Sequence, residues 1–127
     1  MKQRETELER VTAVGQAIYY VVTGIWALVS IGTFQRVTGP KTDLWLVKTV
    51  GALVIGIGAA LGLAGYRERV TPEIVLLGVS SAAGLAGIDV VYVAKRRISP
   101  VYLLDALAEV GIIALWGAAW SRFGKRR

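Results

Sequence analysis

The stretch VTAVGQAIYYVVTGIWALVSIGTF, Val11 to Phe34, runs for twenty-four residues without one charged side chain. As a helix it measures about 36 Å, longer than the roughly 30 Å hydrocarbon core of a bilayer. It therefore predicts a membrane-crossing helix. Lys2, Arg4 and Arg10 precede it, and it lacks a signal peptide's short apolar core and small-residue cleavage site, so it reads as an uncleaved anchor.

Three further apolar runs follow at short intervals. Their punctuation places helices at about 11–34, 44–65, 72–94 and 100–121, with a charged helical extension over 1–10 lying near the membrane surface. The turn Gly39-Pro40-Lys41 precedes the second helix, with Thr42 or Asp43 as its cap. Thr71-Pro72-Glu73 has the form of a helix start: a hydroxyl cap, a proline whose missing N–H costs nothing in the first turn, and an early acid facing the helix dipole. Ser99-Pro100 repeats that grammar before the fourth helix. Loops this short force neighbours to be antiparallel, which predicts an all-α, integral membrane four-helix bundle of up-down-up-down topology, a single domain over 1–127.

Composition agrees. Of 127 residues 54% are hydrophobic, and the mean hydropathy of +0.54 is high for a soluble domain. The net charge of +6 sits in segments flanking the apolar runs and is not interleaved with aromatics, so it argues for membrane topology and against nucleic acid. Cysteine and histidine are both absent. That removes disulfides, thiolate nucleophiles, the usual zinc and haem ligands and the commonest general base, and leaves no cofactor or metal expected. Any chemistry must rest on carboxylates, Lys48, tyrosines or hydroxyls.

Lys2, Arg4, Arg10, Arg67, Arg69, Arg122, Lys125, Arg126 and Arg127 fall on the side holding both termini. Arg36, Lys41, Lys95, Arg96 and Arg97 fall opposite. By the positive-inside rule both termini are expected in the cytoplasm of a cell (inner) membrane protein.

Within the helices, the polar residues sort into faces. Gln16, Tyr20, Thr23, Ala27 and Ser30 share a stripe on the first; Lys48, Gly51, Ile55, Gly58 and Gly62 on the second; Gly78, Ala82, Leu85, Asp89 and Tyr92 on the third; Tyr102, Asp105, Glu109, Trp116 and Trp120 on the fourth. Gly58 and Gly62 form a small-xxx-small pair, expected to serve packing within the chain rather than a homodimer contact. Trp116 and Trp120 fit an interfacial belt. Lys48, Asp89 and Asp105 each lie about 6–7 Å inside a helix end on the same side. One layer is expected to hold all three, with Lys48 paired to Asp89, the cheapest way to bury both charges.

One lysine cannot neutralise three carboxylates. Asp105 and Glu109, one turn apart, repel each other, and the deficit of positive charge suits a proton, a metal cation or an amine, with Tyr92, Tyr102, Ser30 and Gln35 as neighbouring hydrogen-bond groups. The bland alternative is a network balanced by Arg36 or Arg97 snorkelling inward. A serine and lysine dyad fails on depth, since Ser81 lies more than about 10 Å from the level of Lys48.

The leading expectation is a small membrane protein whose ion-paired acidic pocket, near the non-cytoplasmic face, binds or transports a small cation or proton. Asp105 and Glu109 would be the binding carboxylates, Lys48 and Asp89 would organise them, and Tyr92 and Tyr102 would shape the mouth. Two rival readings use the same chain: a membrane-embedded enzyme whose carboxylate pair acts on a lipid or isoprenoid, and an assembly or regulatory subunit whose polar stripe pairs with another membrane protein. In length and helix count the chain resembles the small multidrug exporters, four-helix proteins that work as dimers and exchange cations for protons through a membrane carboxylate. That resemblance is one of architecture and implies a possible homodimer. The family's acid stands in its first helix, and residues 11–34 hold none, so no site residue carries over.

Overall fold

The computed structural model describes residues 2–38 and 44–125, and everything below concerns those residues. They form five helices and no strand: α1 (Lys2–Val29), α2 (Ile31–Thr38), α3 (Leu44–Tyr66), α4 (Pro72–Ala94) and α5 (Tyr102–Lys125). Four segments, Glu7–Val29, Leu44–Tyr66, Pro72–Ala94 and Tyr102–Ser121, are long and apolar enough to cross a bilayer. The turn at Gly39-Pro40-Lys41 and the cap at Thr42 or Asp43 lie outside the described residues.

One boundary differs from the sequence reading. The charged residues before Val11 continue α1 as one helix, and Leu8 packs on the apolar core while Arg10 pairs with Glu68 at 3.6 Å. At its other end α1 stops at Val29 instead of Phe34. Ser30 and Thr33 bond to each other through their hydroxyls (2.6 Å), Thr33 also bonds the Ser30 carbonyl, and the Trp26 indole N–H donates to Thr33 Oγ1. The backbone ladder runs on through this point, Ser30 N–H to the Trp26 carbonyl and Phe34 N–H to the Ser30 carbonyl at 3.0 Å each, and α2 starts on the far side.

The start of α4 follows its sequence signals: extended Thr71 accepts the Ile74 N–H on its hydroxyl, and Pro72 opens the helix. Both α3 and α4 end in paired reverse bonds, Arg69 N–H to Ala64 carbonyl with Glu68 to Gly65, and Arg97 to Tyr92 with Arg96 to Val93. Glu68 and Arg96 take the left-handed conformation that these endings demand, with φ of 56° and 57°.

Glycine decides how α1 meets α3. A Cβ on Gly51 would meet the Gly24 carbonyl, one on Gly58 would meet Val21 and the Ala17 carbonyl, and one on Gly65 would meet Val14. The contacts climb α3 as they descend α1, so these two helices run in opposite directions with backbones nearly touching. This is the intramolecular use expected of the Gly58 and Gly62 pair. α4 packs mainly on α5, α1 reaches α5 across the middle, and α3 meets α4 only sparingly. The core holds Ala13, Ala17, Leu61, Val75, Trp116 and Ala119. Large apolar side chains elsewhere, Leu53, Leu63, Leu76, Leu104 and Leu107 among them, face outward.

Candidate functional site

Along α1 the polar residues Thr12, Gln16, Tyr19, Tyr20 and Thr23 recur at helical spacing, and the structure divides them by length. The short hydroxyls fold back on their own helix: Thr12 donates to the Leu8 carbonyl at 2.7 Å, and Thr23 donates to the Tyr19 carbonyl. Gln16, Tyr19 and Tyr20 reach across to α4 and α5. Their contacts build two stacked polar layers inside the bundle.

The upper layer is acidic. The Tyr19 hydroxyl donates to Asp105 Oδ1, and the Tyr20 hydroxyl donates to Glu109 Oε1 at 2.7 Å. Asp105 and Glu109 stand one turn apart on α5, and Asp89 enters beside them from the last turns of α4. Glu109 is 1% exposed and Asp89 5%, while Asp105 and Tyr19 are half-buried. Asp89 Oδ2 and Glu109 Oε2 are buried without a hydrogen-bond partner.

The lower layer is neutral. Gln16, 1% exposed, donates from Nε2 to the Gly78 carbonyl (3.0 Å) and toward Ser81 Oγ (3.4 Å), and its Oε1 accepts the Trp116 indole N–H at 2.7 Å. Gly78 is required: a Cβ there would stand 2.5 Å from Trp116 Nε1 and 2.9 Å from Gln16 Oε1. Trp116 is thus a core residue and no part of an interfacial belt, whereas Trp120 is exposed. Ser81 bonds the Leu77 carbonyl at 2.7 Å, inside this layer.

Of the six residues singled out from sequence, Asp89, Asp105 and Glu109 come together, and Lys48 and Tyr92 are exposed. Lys48 is exposed and makes no ion pair with Asp89, contrary to expectation. The reason is topological: α3 packs on α1 rather than on α4, and α1 ends soon after Ala27 and Leu28 meet Gly51, so the turn carrying Lys48 projects past it. Tyr92 is exposed, with the Lys95 ammonium 5.5 Å above its ring, and Tyr102 is half-buried at the start of α5. Ser30 serves the α1–α2 break. Arg36 and Arg97 are exposed and neither pairs with an acid. Among the described residues no cationic side chain balances the acidic layer.

The residues that sequence reasoning missed are Tyr19 and the pairing role of Tyr20. Tyr20 lay on the polar stripe, whereas Tyr19 sits one position round the helix; the Tyr19-Tyr20 doublet within an apolar span was the available signal. Comparison with known protein families, curated proteins and solved structures finds no match for this chain.

Proposed function

We propose that this chain is a small integral membrane protein, its helices α1, α3, α4 and α5 crossing the bilayer in up-down-up-down order with both termini cytoplasmic, and that Asp89, Asp105 and Glu109 bind a small monovalent cation or proton. The observation carrying this reading is the buried acidic layer, which among the described residues receives hydrogen bonds from two tyrosine hydroxyls. Carboxylates at this depth cost several kcal/mol each unless their charge is met, and no cationic side chain among the described residues meets it. A proton held between neighbouring carboxyls, or an ammonium donating to the two bare oxygens, answers that deficit. Among the described residues no three acidic side chains are arranged as a metal site, which favours a ligand that needs acceptors over one that needs a closed coordination shell.

Protons and cations compete for the same oxygens, which fixes the sign of the pH dependence. Methylammonium binding to purified protein, followed by titration calorimetry, should tighten as pH rises and weaken as it falls, and should be absent in Asp89→Asn/Asp105→Asn/Glu109→Gln. No binding by the parent protein, or binding that ignores pH, would contradict the proposal.

A further inference from the structure

The two polar layers differ in what they can pass along, and this gives the site a direction. A carboxyl or hydroxyl can accept one proton while giving up another, and Asp89, Asp105, Glu109, Tyr19 and Tyr20 are all groups of that kind. Gln16 stands one turn from Tyr20 on α1 and its amide reaches toward the Ser81 hydroxyl (3.4 Å), so the exchangeable groups continue to the edge of the lower layer. There they stop. An amide nitrogen and an indole N–H donate without readily exchanging roles, and Gln16 is held with its oxygen on Trp116 and its nitrogen on the Gly78 carbonyl.

Burial agrees with the chemistry. On the far side of the clamp Ala13, Leu61, Val75 and Ala119 pack into the apolar core and separate it from buried Thr12, whose hydroxyl is spent on the Leu8 carbonyl, and from buried Glu9 beyond. Trp116 is fully buried against Gly78, leaving no space even for a methyl group. In the other direction burial relaxes: from Glu109 and Asp89 to half-buried Asp105 and Tyr19, then to Tyr92 and the exposed run Lys95 to Arg97.

We infer that the acidic layer communicates with one membrane face only, the face of the Lys95–Ser99 loop, and that the clamp formed by Gln16, Trp116 and Gly78 is the barrier closing it from the other. This rests on the acidic layer being the ligand site, and it adds that the site is blind-ended.

The chain has no native cysteine, so a single introduced thiol reports cleanly. Ala86, buried on the Asp89 face of α4 between the layers, is the reporter position. Full-length Ala86→Cys in right-side-out and inverted membrane vesicles is treated with a membrane-impermeant, positively charged methanethiosulfonate. Labelling is expected from the Lys95–Ser99 face alone, and from both faces once Gln16→Ala or Trp116→Phe is added. Labelling of the parent reporter from the opposite face or from neither face would overturn the inference, as would unchanged one-sidedness in a folded clamp variant. Should a clamp variant fail to fold, the sidedness of Ala86→Cys alone decides. Labelling needs no bound cation, so a failure of methylammonium binding would sink the functional reading and leave this result standing.

Discussion

At the scale of single residues, tyrosine hydroxyls reach the acids where the sequence reading expected Lys48 and, in its alternative, a snorkelling arginine. A phenol brings a donor without a second charge to desolvate, and its ring fills apolar volume up to the hydroxyl. The two are not equivalent. Tyr20 is 1% exposed and donates to the fully buried Glu109, whereas Tyr19 is half-buried and donates to the half-buried Asp105. Tyr20→Phe leaves both Glu109 oxygens bare inside the bundle, and hydrogen bonds between membrane helices average about 0.6 kcal/mol with a maximum near 1.7. Unfolding of the reconstituted protein should show Tyr20→Phe near the upper figure and Tyr19→Phe well below it; equal losses would deny the burial difference its importance. Sequence alone could not find Tyr19, because which of two adjacent tyrosines reaches an acid depends on the rotation at which α1 crosses α5.

Between elements, the decisive contacts are made by absent side chains. Gly58 lies in the close α1–α3 contact, with the Ala17 carbonyl oxygen 3.0 Å from a Cβ that would also press on Val21. Gly56, two residues away on the outward face, meets nothing within 4 Å. Gly58→Ala should therefore cost about 1–3 kcal/mol by forcing the helices apart. Gly56→Ala should be neutral or stabilising by up to about 1 kcal/mol through helix propensity alone. Thermal melts of the two variants in one detergent test the pair, and a similar loss from both would mean α3 is not seated on α1 as described. Much at this scale was legible in the chain: the four apolar helices, the Thr71-Pro72 start, and a glycine face on the second span. The interruption at Ser30 was not, since it is marked by a hydroxyl network among Trp26, Ser30 and Thr33 rather than by a proline or glycine turn.

For the whole molecule, the question is where charge resides. Periodicity placed Asp89 and Asp105 on inward faces at a common depth with Glu109 one turn from Asp105, and the bundle brings those three together. It also placed Lys48 at that depth, and there the inference failed, because shared depth does not specify which helices are neighbours. With α3 seated on α1, the lysine is exposed and its ammonium does not reach the acidic layer. Lys48→Gln should accordingly leave methylammonium affinity within about twofold of the parent protein. A tenfold change, equivalent to about 1.4 kcal/mol, would restore the lysine to the site.

The acidic layer's need for an external positive charge is tested most directly by infrared difference spectroscopy of the protein in lipid, perfused alternately with buffers differing in pH and in methylammonium. Carboxyl bands that respond in the parent protein and are missing from Asp89→Asn/Asp105→Asn/Glu109→Gln are the expected result. Spectra in which parent and triple variant respond identically would show that these three acids exchange nothing with their surroundings, and would contradict the assignment.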